Sequence, residues 1–246
     1  MGNGASVETM QQGISEKNAD LREFVSNFAS LAVPGAQAKA VRKQTWLAVD
    51  PNGNGLVSLA EFDGWIKKTL LLNATSPEES AEADRLWKLY RPSYIRAFND
   101  AKDVSKEREI KSVGDATTDD YVTKGEFRLA VAYLCLYAAM FDAFNQIDGG
   151  SAGTTATDDR RMSLEEWTAA FPKIQSMGYG FVALQQAAKE AEGETTTEVA
   201  QTAEEIFKKI DADGKGMVLL NEWCKFIEKA EIDAGTLAGK MLNAGD

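Results

Sequence analysis

The 246-residue sequence contains no histidine. This absence removes imidazole metal sites and every catalytic triad or general-base scheme that depends on histidine. Cysteine is scarce as well. Cys135 and Cys224 lack the close spacing of a thiolate metal site, so a reduced, intracellular chain is expected. Basic side chains number 27 against 38 acidic ones, and the resulting net charge of −11 argues against general nucleic-acid binding. There is no P-loop and no glycine-rich nucleotide fingerprint, so enzymatic activity is not expected. No secretory signal is visible in the polar, glycine-rich N-terminus. The longest uncharged apolar run, Leu129 to Phe141, is shorter than the roughly 20 residues a bilayer-crossing helix needs. It reads as a buried core helix.

What the chain does contain is enough apolar material, 44%, for one large globular unit or two small lobes. One stretch stands out chemically. Asp50 to Glu61 reads D-P-N-G-N-G-L-V-S-L-A-E and matches the calcium-loop pattern D-x-[DN]-x-[DN]-G-x5-E at every constrained position. Ca²⁺ is a hard cation that takes about 6–8 oxygens at roughly 2.3–2.6 Å. Asp50, Asn52 and Asn54 stand at positions 1, 3 and 5, where side-chain oxygens turn inward. Gly55 stands at the sharp turn of position 6, Leu56 offers its carbonyl, Ser58 acts directly or through water, and Glu61 closes the shell bidentately. Val57 at position 8 is expected to pair with a partner loop in a short β-bridge. The plain alternative is an Asn-Gly turn with an acid at each end, but helical patterns flank the loop. Trp46 and Val49 precede it, and Phe62, Trp65, Ile66 and Leu70 follow at helical spacing. Only Asp50 and Glu61 carry charge, which predicts an affinity from about micromolar to submillimolar.

This helix-loop-helix unit recurs, so it serves as a template for the rest of the chain. The acid-aromatic pair opening its second helix appears as Glu61-Phe62, Glu126-Phe127, Glu166-Trp167 and Glu222-Trp223. The apolar position 8 returns as Val57, Val122, Met162 and Val218, and Phe144/Ile147 and Phe207/Ile210 match Trp46/Val49. An aromatic stripe at helical spacing is ordinarily core, and these are read as core. Their recurrence in phase with four acids predicts four EF-hand units, all-α, in two paired lobes joined by short β-bridges between loops.

The other three loops depart from the template. In the second, Asp115 to Glu126, Asp120 replaces the turn glycine, and Lys111 and Gly114 make its entering side polar. Its true entering helix is expected to end near Phe98-Asn99-Asp100, leaving a charged insertion, and the loop is expected to be structural. The third, Asp148 to Glu166, is seven residues longer than the template and places Arg160 and Arg161 beside the site. Loop closure tolerates the insertion, but two cations disfavour Ca²⁺; Asp158 and Asp159 are the acids that would rescue a distorted site. The fourth, Asp211 to Glu222, keeps Asp211, Asp213, Gly216, the Met217 carbonyl and Glu222. Lys215 at position 5 cannot donate an oxygen but is flexible enough to swing outward, so weak binding and none both stay open. A Glu/Gly/Thr-rich linker, Lys189 to Thr197, separates hands three and four.

Met1-Gly2-Asn3-Gly4-Ala5-Ser6 matches the N-myristoylation signal, with Gly2 as acceptor. One myristoyl chain gives only weak membrane contact, and no nearby cysteine or Lys/Arg cluster supplies a second signal. Residues 1–33 are expected to form a polar arm with one amphipathic piece, Leu21, Phe24, Val25 and Phe28. Residues 34–134 and 135–246 are expected to form the two EF-hand pairs.

From Pro34 to Ala230 the chain resembles the calflagins, flagellar calcium-binding proteins of trypanosomatids. The resemblance rests on Glu126-Phe127-Arg128-Leu129 through Tyr133 to Met140-Phe141 and Ile147-Asp148, on Arg96-Ala97-Phe98, and on Glu165-Glu166-Trp167 through Pro172-Lys173-Ile174 to Gly178. It implies an N-terminally acylated calcium sensor at the flagellar membrane, with Gly2 as the acylated residue. The family's palmitoylated cysteine and basic N-terminal segment have no counterpart here, and its main calcium sites, hands three and four, are the altered ones. The expected function is calcium sensing centred on the first hand, with an apolar EF-hand surface including Trp65 and Ile66 offered to an unidentified protein partner. The alternative is a calcium-independent structural or adaptor protein that keeps the fold for packing.

Overall fold

The computed structural model describes residues 18–72, 74–107, 120–148, 161–190, 192 and 195–243. Among these residues the protein is all-α, with two short antiparallel strand pairs. Gly2, Ser6, Lys111, Gly114, Asp115, Asp158, Asp159 and Arg160 lie outside the described residues. The chain divides into two compact units, one holding residues 23–138 and the other residues 139–243 together with 18–22. The seam falls inside one helix, between Ala138 and Ala139.

The first unit is built from short helices α1 (Ala19–Ser26, entering from the other unit) and α2 (Ala29–Ala32), then α3 (Ala36–Val49), strand β1 (Leu56–Val57) and helix α4 (Leu59–Leu71). Helices α5 (Pro77–Leu89) and α6 (Arg91–Glu107), strand β2 (Val122–Thr123) and the start of α7 (Phe127–Ile147) complete it. Helix α3 buries Ala38, Arg42, Trp46 and Val49, spacings that put them on one face. Helix α4 starts where Ser58 and Glu61 cap each other reciprocally, and it buries Phe62, Trp65, Ile66 and Leu70. Ser76 and Glu79 repeat that cap at the start of α5, with Pro77 at the first helical position, where no N–H is needed. The core is aromatic: Phe127 meets Trp46 at 5.6 Å and Trp65 at 5.4 Å, and Phe62 meets Phe98 at 5.8 Å.

Two expectations are corrected here. Phe24, Val25, Phe28, Ala29, Leu31, Ala32 and Val33 are buried, so this stretch belongs to the core and not to a polar arm. Its apolar residues recur at helical spacing, and the surface they cover is supplied by residues remote in sequence. Helix α6 also continues to Glu107, past the end expected at Asp100. No glycine or proline interrupts Ala101 to Glu107, and Arg96 pairs with Asp100 at i,i+4, 3.3 Å apart.

The second unit holds the rest of α7, strand β3 (Arg161–Ser163), helix α8 (Leu164–Ala170), a 3₁₀ turn (Phe171–Lys173), and helices α9 (Ile174–Met177), α10 (Val182–Glu190) and α11 (Thr196–Ile210). Strand β4 (Met217–Leu219) and helices α12 (Leu220–Asp233) and α13 (Leu237–Asn243) follow. Two fully buried indoles centre the core. Trp167 donates to the Ala203 carbonyl at 2.8 Å and Trp223 to the Met140 carbonyl at 2.9 Å, and their rings lie 6.3 Å apart. Each buried N–H is thereby satisfied. Gly239 lets α13 approach α12: a Cβ there would lie 2.2 Å from the Glu231 carbonyl oxygen. Helix α7 is long and apolar enough to cross a membrane, yet 83% of its most apolar window is buried inside the protein, as a core helix requires.

Asp142 of α7 is buried and accepts hydrogen bonds from Asn18 (2.5 Å), Gln146 (3.3 Å) and the Tyr179 hydroxyl. Desolvation outweighs these bonds and raises its pKa above the ordinary carboxylate value. The folded state then holds this proton to higher pH than the unfolded chain. Its contribution to stability therefore falls as pH rises from about 4, the unfolded value, through the raised folded one. Compared with Asp142→Asn, the wild type is expected to gain relative stability as pH is lowered through that window. Thermal melts of both proteins between about pH 4 and 7 measure it; a constant difference would remove Asp142 from the account.

Candidate metal centre

The Asp50–Glu61 loop is shaped by its own side chains. Helix α3 ends as the Asp50 N–H bonds the Trp46 carbonyl at 2.8 Å, leaving the buried Asp50 carboxylate at the loop entrance. Asp50 Oδ1 accepts from the Asn54 N–H (3.2 Å) and Oδ2 from the Gly55 N–H (2.9 Å). Asn52 Oδ1 also accepts from the Asn54 N–H (2.9 Å), and Asn54 Oδ1 from the Leu56 N–H (2.8 Å). The chain turns through Gly53 (φ 70°) and Gly55 (φ 81°), conformations that only glycine adopts without strain. Across the loop, the Asn52 amide donates to Glu61 Oε1 at 2.6 Å, while Glu61 Oε2 takes the Ser58 N–H (2.9 Å) and Oγ–H (2.8 Å). The loop thus brings together Asp50, Asn52, Asn54, Ser58 and Glu61, the side chains expected to surround a cation, with Leu56 beginning β1 beside them.

Asp211–Glu222 repeats the entry aspartate, the paired glycines and the closing glutamate of this arrangement. Asp211 Oδ1 accepts from the Lys215 N–H (3.1 Å) and Oδ2 from the Gly216 N–H (2.8 Å), and Asp213 Oδ1 accepts from the Lys215 N–H (3.1 Å). Glu222 Oε1 takes the Asp213 N–H (3.1 Å) and Oε2 the Leu219 N–H (2.9 Å). Gly214 (φ 67°) and Gly216 (φ 79°) match Gly53 and Gly55. Carboxylate oxygens of Asp211, Asp213 and Glu222 lie within 4.8 Å of one another, close enough to share a cation, and Met217 opens β4. Two side chains break the likeness: Leu219 stands where Ser58 offers its hydroxyl, and Lys215 where Asn54 offers its amide oxygen. The exposed Lys215 side chain places Nζ 2.6 Å from Asp213 Oδ2. The hydrogen bond between them holds Asp213 below the ordinary carboxylate range and Lys215 above the ordinary lysine value.

The loops are tied in pairs by their strands. Val57 faces Val122 in one, Met162 faces Val218 in the other, and all four are fully buried. These are the position-8 residues that the repeat selected. The second and third loops are described only toward their ends. There Thr123 donates to Glu126 through its N–H and Oγ–H (both 2.8 Å), and Ser163 does the same to Glu166 (both 2.7 Å). Lys102 reaches the exposed Asp120, the acid that stands where the turn glycine belongs, at 3.6 Å.

The capping role of Ser58 and Ser163 escaped the sequence reading, although Ser-x-x-Glu before an apolar run is its visible signal. Leu219 has no such oxygen, so the fourth loop keeps only the half in which Glu222 takes the Leu219 N–H.

No protein-family model matches the chain, and no curated protein sequence matches it. The chemistry of the site therefore rests on the donor set. Loop Asp50–Glu61 offers oxygen ligands and no cationic side chain, which fits a hard divalent cation. Loop Asp211–Glu222 offers three carboxylates, one of them paired with the Lys215 ammonium. Replacing Lys215 by Asn, the residue at position 5 of the first loop, is expected to add a calcium equivalent to the chain. Native mass spectrometry of Lys215→Asn beside wild type checks this, and equal stoichiometry would exonerate the lysine.

Proposed function

We propose that this chain is a calcium-binding protein of four EF-hand units, a sensor or interaction protein with its principal site at Asp50–Glu61. The observation that carries the reading is the agreement of two loops 161 residues apart in the entry aspartate's acceptor pattern, the glycine conformations and the closing glutamate. An ordinary Asn-Gly turn has no need of an acid at position 12 fixed to position 9. Asp50, Asn52, Asn54, the Leu56 carbonyl, Ser58 and Glu61 would hold Ca²⁺, and the ion would supply the charge that draws these oxygens together. Ser58 and Glu61 also start α4, so a cation in the loop acts directly on that helix. Its reorientation would open Trp65 and Ile66, now buried, to a partner.

Asp211, Asp213, Met217 and Glu222 form a weaker second candidate because Lys215 competes for the same carboxylate. The resemblance to calflagins adds the expectation of a flagellar, Gly2-myristoylated protein with weak membrane contact. Lys215 on Asp213 favours the second reading, a calcium-independent adaptor, for the fourth hand alone. Native mass spectrometry in calcium is the test: one bound ion supports the principal site, and none removes it. Tryptophan fluorescence with and without calcium reports the helix movement, since Trp46 and Trp65 flank the loop.

A further inference from the structure

We propose that a basic cavity in the first unit binds an organic phosphate monoester, a phosphate group carried on a compact apolar body. The cavity holds about 300 Å³ and is lined by Lys39, Ala40, Arg42 and Lys43 of α3, by Lys124 just after β2 and by Phe127 at the start of α7. That volume stands at the lower end of ligand pockets, about 300–1,000 Å³, and suits a single ring with its substituent better than a long chain. Among the described residues no acid lines it. The sequence explains the local sign. Helix α3 carries Lys39, Arg42 and Lys43 and no acidic residue, in a chain whose net charge is −11.

The fold uses only one of these cations. Arg42 is buried, and its Nη1 donates to the carbonyls of Leu31 (3.0 Å) and Val33 (2.8 Å), which fixes one wall. Lys39, Lys43 and Lys124 are exposed and form no ion pair with the described acids. Glu126, the acid nearest to Lys124 in sequence, turns Oε2 to the Thr123 N–H and Oγ–H, both at 2.8 Å. A lysine lays its aliphatic stem along an apolar wall while its ammonium stays in water. Three such stems, with Ala40 and the buried Phe127, make an apolar interior under a cationic mouth. A carboxylate answers one of three ammonium groups; a phosphate monoester brings about 1.5–2 negative charges and three acceptor oxygens. Phe127 also meets Trp46 and Trp65 edge-on, so occupancy of the cavity is expected to register in indole fluorescence. The site shares no residue with Asp50–Glu61 and does not rest on the calcium reading.

The test titrates the full chain in EGTA with phenyl phosphate, benzoate and inorganic phosphate, followed by calorimetry and tryptophan fluorescence. Phenyl phosphate is expected to bind with a Kd of about a millimolar or below. Benzoate, which lacks the second charge, and inorganic phosphate, which lacks the apolar body, are each expected to bind at least about tenfold more weakly. The exposed triple change Lys39→Gln, Lys43→Gln and Lys124→Gln is expected to weaken phenyl phosphate at least about tenfold with circular dichroism unchanged. Lys189→Gln, Lys209→Gln and Lys225→Gln make the same charge change in the second unit and are expected to bind as wild type. No heat with phenyl phosphate would overturn the proposal. Equal affinity for benzoate or inorganic phosphate would overturn it too, as would a cavity variant that binds no worse than the control variant. Both sources of the group support the proposal, and one further titration separates them. A capped phosphotyrosine peptide binding more tightly than phenyl phosphate places the group on a protein, and the reverse places it on a free small molecule. Because all binding is read without calcium, its failure is distinct from failure of the calcium stoichiometry.

Discussion

Glu61→Gln is expected to weaken calcium binding at the proposed Asp50–Glu61 site by roughly 100-fold, about 2.8 kcal/mol. Two physical changes combine. The loop loses one of its two charged ligands, and the bidentate carboxylate becomes a single carbonyl oxygen beside an N–H₂ that repels a cation. The Asn52 amide, which now donates to Glu61 Oε1, would face that N–H₂ if the carbonyl kept the Ser58 side. The fold is expected to stay, because glutamine can still close the cap with Ser58 through its carbonyl oxygen. The substitution therefore separates binding from folding. Calorimetric titration of wild type and Glu61→Gln at matched pH checks it, with circular dichroism as the folding control. Identical calcium heats in the two proteins would remove Asp50–Glu61 from the account.

Much of this was legible because a helix facing a core repeats its apolar residues with a fixed period, and because the unit occurs more than once. Repetition converts weak local patterns into a register. That register selected Val57, Val122, Met162 and Val218, and these residues face one another across the two strand pairs. It also located the ends of α3, α7 and α11, where the next residue is Asp50, Asp148 or Asp211. Other features were not legible, for reasons that share a cause. Periodicity identifies an apolar face without saying what covers it, so Phe24 and Phe28 suggested a short amphipathic piece while their partners Tyr90 and Trp65 lay far along the chain. Arg42 carried no signal in the sequence, since the partners that bury it on α3 are two backbone carbonyls. Lys215 was legible as flexible through its four-carbon stem, but not its pairing with Asp213 two residues back. In each case the deciding interaction is a contact between side chain and environment, and the sequence encodes only one of the two.

Trp167→Ala is expected to destabilise the second unit by about 3–5 kcal/mol, a large share of the 5–15 kcal/mol typical of a folded domain. Trp167 is fully buried, one turn into α8, with Phe171 at 5.4 Å and Trp223 at 6.3 Å. Truncation removes the transfer energy of an indole and leaves a cavity between rigid aromatic neighbours that cannot collapse into it. It also removes the hydrogen bond to the Ala203 carbonyl, which ties α8 to α11. Trp167→Phe is the milder change: it keeps a buried six-membered ring and loses the N–H with the rest of the indole, so it is expected to cost about 2 kcal/mol. The Ala203 carbonyl lies inside α11 and keeps its helical partner, which limits the penalty for the lost donor. Trp87→Ala provides the contrast in the first unit. Trp87 is only half-buried, donates to Asp63 at 3.2 Å and lies under the Lys67 ammonium at 4.1 Å, and its loss is expected to cost about 1 kcal/mol. Urea denaturation followed by far-ultraviolet circular dichroism ranks the three, since the probe does not depend on the indoles removed. A Trp167→Ala midpoint shifted no further than that of Trp87→Ala would mean that the paired indoles are not the centre of the second core.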